Sequence, residues 1–462
     1  MRKKLSLTLA AILMLSVSPL AACKNENGNN KKGDNVLRIA SWDEYIDMGG
    51  EDSYYTTDSL PIYDEFKSYY GKEYTSPLPI YKEFELWYNM QHPDNQIEVD
   101  YVTLQDNETM YNKIKMGADA EYDLLCPSEY MAMKLKAEGK LLDYDADFFN
   151  PEIEGNYYAQ NVSAYTQSIF QKTGLSDYIA GYMWGTTGFV FDPEKIGNSP
   201  EDAREIMSSW YCLSHNSCTR KITAKDNVRD SYFMGLGMYY EKELLALNPN
   251  DPNYATVLSQ KMNDTSIETM ANVKTLLEKA RINLYGLETD EGKNDVAAGR
   301  LAASYQWSGD GVYILDMAEE NDRYLEYSIP KAASNLWFDG WVMMEGANKE
   351  LAMAFVNFVS RPENIIRNMY YIGYTSCLGG EEVYDYINET YGADEDDETA
   401  VEYDISYFFG NDFAPLLVPE EQTRRQLFAQ YPDAVTKNRL VVMNYFNKEE
   451  NERANRMWNN IK

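Results

Sequence analysis

The sequence predicts an α/β protein with a largely parallel sheet and more than one domain. The chain has 462 residues, enough for a large core and two or three domains. Between residues 36 and 138, apolar extended runs alternate with helical patterns over short connections, the pattern of strands and helices in a parallel sheet. The first such run, Val36-Leu37-Arg38-Ile39-Ala40, ends in Ser41-Trp42-Asp43-Glu44-Tyr45. In an extended backbone, side chains two apart face one way, so Trp42 and Glu44 are expected together, an aromatic wall beside a carboxylate. The same grammar returns in Trp337-Phe338-Asp339.

The N-terminal residues are set aside from the fold. Arg2-Lys3-Lys4 is basic, residues 5–17 are apolar, and Leu20-Ala21-Ala22-Cys23 places small residues before a cysteine, as in a cleaved export signal. That tetrapeptide resembles the lipobox of bacterial lipoproteins, which implies lipidation of Cys23 and anchoring by two acyl chains. Residues 1–22 are thus expected as signal peptide and 23–35 as a flexible tether, polar and free of bulky apolar residues until Val36. Lys24 follows the cysteine, so the aspartate associated with inner-membrane retention is absent. No later run approaches the roughly eighteen apolar residues of a membrane span.

The formal charge of −32 becomes −35 once Arg2, Lys3 and Lys4 are removed. So acidic a surface argues against nucleic acid as a partner and is compatible with steering cations, or simply with solubility. Two histidines without ligand-spaced neighbours leave no basis for a zinc site or a histidine triad. Among the five cysteines, Cys212 and Cys218 enclose a short polar segment and can pair in an oxidising compartment, whereas Cys126 and Cys377 read as buried thiols.

Taken in order, residues 46–78 are rich in Tyr, Asp, Ser and Gly and read as an insertion. Leu60-Pro61-Ile62-Tyr63 recurs as Leu78-Pro79-Ile80-Tyr81, and the second copy starts a helix to about residue 90. A strand over 97–102, a helix capped by Asn107, a short strand over 122–126 and a helix over 129–138 follow. Residues 140–177 read as irregular. The glycine-rich aromatic run 179–191 reads as a strand crossing between lobes. A strand from 221 leads into a helix near Val228, another helix spans 265–281, and a small-residue strand ends in Trp307. Residues 335–344 then return the chain to the first lobe, ahead of a helix over 349–359. The acidic run 394–398 lacks calcium-loop spacing and reads as a solvated loop, and a C-terminal helix starts near 448.

These strand-end residues suit an organic cation. Alkyl linkers favour aromatic walls at roughly 0.8 kcal/mol per buried methylene, an ammonium over an indole gains about 0.5–2 kcal/mol, and a desolvated ammonium needs a carboxylate. Trp42, Trp307 and Trp337 supply the walls; Glu44, Asp230 and Asp339 supply the acids. A Trp-rich cleft also suits a sugar, and a secreted glycosidase would likewise display aromatic and acid pairs.

The chain resembles the polyamine-binding proteins of bacterial ABC importers, the spermidine/putrescine-binding group. The resemblance is carried by Trp42-Asp43-Glu44-Tyr45, Asn107-Glu108-Thr109-Met110-Tyr111, Tyr122-Asp123-Leu124 with Pro127-Ser128-Glu129-Tyr130, and Trp337-Phe338-Asp339. Tyr182-Met183-Trp184-Gly185, Gln306-Trp307-Ser308-Gly309 and Ile372-Gly373-Tyr374 support it. It implies a two-lobed periplasmic-binding-protein-like α/β fold that closes on its ligand, with a site lined by Trp42, Glu44, Tyr45, Ser128, Tyr130, Asp230, Trp307, Trp337, Asp339 and Tyr374. Lobe 1 is expected from 36–186 and 339–378, and lobe 2 from 187–338 and 379–462. The implied partners are a polyamine (putrescine, spermidine or both) and a permease with its cytoplasmic ATPase. The protein itself is expected to be a monomer without cofactor, metal or catalysis, at the cell surface or in the periplasm. Three departures stand out. Asp43 replaces a small hydroxyl residue, Asn227-x-x-Asp230 stands where the family has Asp-x-x-Glu, and no late glutamine can be placed in 439–447.

Overall fold

Two long strands, each buried along its whole length, link two hydrophobic cores. The computed structural model describes residues 35–117, 121–288, 292–394 and 396–462. Cys23, the expected signal and nearly all of the tether lie outside the described residues, as does residue 395 of the acidic run. The first lobe begins with strands β1 (Val36–Trp42), β2 (Glu98–Leu104), β3 (Leu124–Leu125) and β4 (Leu141–Leu142). The linking strand β5 (Ala180–Phe191) leads to β6 (Ile222–Lys225), β7 (Gly286–Glu288), β8 (Ala303–Trp307) and β9 (Glu326–Ser328). The second linking strand, β10 (Ser334–Met344), is followed by β11 (Thr375–Ser376), the small hairpin β12 (Val401–Tyr403) and β13 (Leu416–Val418), and β14 (Leu440–Val441).

The main sheet runs β2-β1-β3-β10-β5-β8-β6-β7. Pairing is parallel for β2-β1-β3 and for β8-β6-β7, and antiparallel wherever β5 or β10 is involved along this path. Each lobe is therefore an α/β unit, and the antiparallel linking strands join them. Ala180 to Trp184 of β5 lie in the first core, while Phe189 and Phe191 lie in the second. β10 divides likewise, with Ala332 and Ala333 just before it in the second core and Leu336 onward in the first. The glycine-rich run is thus a strand between lobes. At Gly185 a Cβ would come within 2.5 Å of the Trp337 ring, so only glycine lets that indole lie against β5.

Several expectations are corrected. The helix Asn107–Lys115 is capped by Asp106, whose Oδ1 accepts from Thr109 N at 2.6 Å, which frees the Asn107 amide for the site. Residues 140–177 contain the helices Tyr157–Asn161 and Ala164–Lys172, the latter capped by Ser163. Much of the segment 379–431, expected in the second lobe, packs in the first core through Val383, Ile387, Phe408, Leu416, Leu427 and Tyr431. Cys212 and Cys218, whose pairing the sequence leaves open, are both buried and free.

The segment 46–78 is tied into the first lobe. Its Leu-Pro-Ile-Tyr copy also starts a helix, Ile62–Tyr70, with Ile62, Tyr63 and Phe66 buried. Arg367, fully buried, donates to Asp47 Oδ2 at 2.6 Å, Glu83 Oε2 at 2.7 Å and the Leu78 carbonyl at 2.9 Å. Asp47 N in turn donates to Asn368 Oδ1 at 2.9 Å. Removing one member of such a buried set leaves the others uncompensated. Arg367→Ala is expected to lower unfolding stability by about 3–5 kcal/mol in denaturant titration; a loss below about 1 kcal/mol, the range of an exposed pair, would contradict this role.

Candidate functional site

The site grows from β10. Register with β5 shifts between Asp339 and Gly340, so that Asp339 pairs with Met183 but Gly340 with Gly181. Such a bulge re-aims side chains. Asp339 also bridges to Ser128 at the start of the helix Glu129–Ala137. Ser128 is held by the Asn107 amide, which donates to its Oγ at 2.9 Å and accepts from its N–H at 3.1 Å. From the end of β1, Trp42 Nε1 donates to Asp339 Oδ2 at 3.2 Å, and the Tyr45 hydroxyl donates to the same oxygen at 2.6 Å.

Asp339 Oδ2 thus accepts two bonds. Oδ1 is buried and meets no donor in hydrogen-bonding geometry among the described residues. Burial raises the Asp339 carboxyl above its ordinary value, opposed by Tyr45, Ser128 and Trp42. The next acid, Glu129, is pushed up to about 8 by burial and by the Asp339 charge. Trp337 donates its indole N–H to the Thr186 carbonyl at 3.0 Å, leaving only its ring for contact. Tyr374 lies 5.2 Å from Trp337 and 6.0 Å from Tyr45, ring to ring.

The second lobe contributes the other side. Asn227 caps the helix Val228–Leu245, accepting from Arg229 N and Asp230 N, and Asp230 lies buried in its first turn. Burial pushes Asp230 up to about 6, against the opposing pull of Lys225, the Trp307 indole N–H and Arg229. The two sides touch at two places beside the site, besides the bonds of Arg425 and Gln426 to Glu319 and Asp316 farther along the helix that carries Asp310. Tyr374 donates to Asp310 Oδ1 at 3.3 Å, and the Arg229 guanidinium lies 4.6 Å above the Tyr130 ring. Tyr374 needs Gly309, since a Cβ there would fall within 1.6 Å of its ring.

Of the ten expected lining residues, Trp42 and Tyr45 bond to Asp339 with Ser128 beside it, and Tyr374 lies edge-on to Tyr45 and tilted against Trp337. Asp230 and Trp307 meet in the second lobe. Tyr130 contacts Arg229 and donates to Glu108 Oε1 at 3.1 Å. Glu44 does not share a face with Trp42. β1 ends at Trp42, and Glu44 follows in a turn, exposed and left-handed with φ 51°. Its charge, with that of Asp47 and Asp43, falls on Tyr371, and Asp43 is exposed as well. Sequence reasoning missed Lys225, Asp310 and Lys293, although Asp310 directly follows the quoted Trp307-Ser308-Gly309.

Known proteins give this geometry a family. The bacterial extracellular solute-binding proteins match over residues 81–382, well over half of the chain. The spermidine/putrescine-binding periplasmic protein of Salmonella typhimurium is 26% identical over 274 residues, spanning 58% of this chain and 66% of that protein. The putrescine/agmatine-binding protein of Pseudomonas aeruginosa is 24% identical, over 59% of this chain and 69% of that protein. Among solved structures, a spermidine/putrescine ABC transporter substrate-binding protein from Streptococcus pneumoniae covers 92% of this chain and 98% of its own, with TM-score 0.58 and 23% identity. That likeness shows the two-lobed fold. On the strength of the family match, the chain belongs to the bacterial extracellular solute-binding proteins.

Proposed function

We propose that this solute-binding protein captures a polyamine between its lobes and delivers it to a permease driven by a cytoplasmic ATPase. One observation carries the reading. Asp339 is a buried carboxylate with one oxygen satisfied by Trp42 and Tyr45 and the other, Oδ1, in no well-formed hydrogen bond, with only the Ser128 side chain otherwise beside the carboxyl. A ligand ammonium there would supply both donor and counter-charge beside aromatic rings. The names of the relatives and the facing Asp230–Trp307 pair support the same chemistry. Trp42, Tyr45, Ser128, Trp337, Asp339 and Tyr374 form the first-lobe wall, Asp230 and Trp307 the second, and Tyr130 the edge against Arg229. Glu44, at the exposed turn, meets the approaching cation rather than the bound one. The protein acts as a receptor, not an enzyme, and works as a monomer tethered outside the cytoplasm through a lipidated Cys23.

Calorimetry of the purified protein against putrescine, spermidine, spermine and betaine tests the reading. Heat of binding with at least one polyamine is expected, and folded protein that binds none would overturn it. Asp339→Ala is expected to weaken that binding by roughly a hundredfold, the loss of a charge-assisted bond, with a much smaller effect on the melting of the unliganded protein. Equal damage to both would make Asp339 structural.

Binding is also expected to depend on pH. In the unliganded protein Asp230 holds its proton up to about pH 6, above the ordinary 3.8. Its contribution to unliganded stability is therefore fully present below the ordinary value and lost as pH rises through about 6. A cationic ligand favours the ionised form, so affinity moves the opposite way and falls by roughly tenfold between pH 7.5 and 5. Asp230→Asn is expected to flatten that part of the profile, and an unchanged profile would contradict the role.

A further inference from the structure

We propose that Lys225 is a built-in ammonium of the cleft, filling the place of a third ligand ammonium and so restricting the ligand to a diamine. The inference rests on the polyamine reading above and concerns which polyamine fits.

Lys225 ends β6 with its side chain only 1% exposed. Its Nζ lies 3.6 Å from the centre of the Trp307 ring and 3.1 Å from Asp310 Oδ2. An aromatic face plus a carboxylate is the combination a ligand ammonium requires, and here the chain supplies the ammonium itself. Asp310 is saturated. Lys293 Nζ approaches its Oδ1 to 2.7 Å, and Tyr374 donates to the same oxygen. These cations hold the Asp310 carboxyl below its ordinary value despite burial. The Lys225 backbone is fixed as well, its carbonyl accepting from Ser231 Oγ at 2.9 Å.

Among the described residues of the cleft, two buried acids without a salt bridge are then left for a ligand, with the exposed Glu108 at the edge. Asp339 and Asp230 are both buried, and neither forms an ion pair with a described residue. Glu129 is engaged by the Phe338 N–H at its Oε2, and burial and the Asp339 charge both disfavour its ionisation. The carboxylates of Asp339 and Asp230, Asp230 also facing the Lys225 and Arg229 charges and the Trp307 indole N–H, match the two ammoniums of a diamine. A third ammonium would be desolvated near Lys225 and Lys293, with Arg229 adding a further buried positive charge between Tyr130 and Phe446. Unpaired buried charge of that kind is strongly disfavoured.

The test is calorimetry of putrescine and spermidine with the wild-type protein, Lys225→Met and Lys225→Arg. Methionine keeps the length without the charge and leaves Asp310 its bond to Lys293. The wild type is expected to bind putrescine at least about tenfold tighter than spermidine. Lys225→Met is expected to move that ratio by about tenfold or more toward spermidine, and Lys225→Arg to preserve it. A wild type that binds spermidine as tightly as putrescine overturns the proposal whether or not the variants fold. A ratio unmoved by Lys225→Met overturns it while leaving polyamine binding intact. Folded wild type that binds no polyamine overturns both readings together.

Discussion

The site depends on one buried carboxylate held where the sheet shifts register. Asp339 sits at the discontinuity between β10 and β5, and first-lobe groups from three separate segments meet it or its neighbours. Burial makes its charge costly, and donors to one oxygen offset only part of that cost. The unsatisfied oxygen is the consequence. A fold organised purely for stability would place a donor there or an apolar residue in its stead; leaving the acceptor open favours an external cation.

The linking strands give that open acceptor its mechanical setting. β5 and β10 pair with each other and reach both cores, so every first-lobe group on Asp339 stands in fixed relation to the strands between the lobes. The lobes meet through Tyr374 on Asp310, Arg229 over Tyr130, and Arg425 and Gln426 on Glu319 and Asp316, all of them polar contacts. Contacts of that type are compatible with opening and closing about the linking strands. The Arg367 cluster keeps residues 46–78 on the first lobe, beside the turn that carries Tyr45.

What was legible in the sequence followed from periodicity and strand ends. Trp42, Trp337 and Trp307 stand at or within strands that converge on the proposed site, and the acid two residues after Trp337 bonds to Trp42 there. The same rule failed for Glu44 because the strand stops at Trp42, and a left-handed residue no longer follows alternation. Asn107 read as a cap because Asn favours caps, yet the neighbouring Asp106 takes that task and leaves the amide to hold Ser128. Lys225 and Lys293 were invisible for another reason. A lysine ordinarily marks solvent, and only the tertiary packing of Trp307 and Asp310 against it reveals a buried cation. The second-lobe boundary was misplaced because 379–431 carries no local sign of which core its apolar residues enter.

A crystal structure of the protein with bound putrescine tests the central claim most directly. A ligand ammonium is expected within hydrogen-bonding distance of Asp339 Oδ1, beside Tyr45 and Trp42. Diamine bound elsewhere, with Oδ1 still unmet or met by a protein donor, would contradict it.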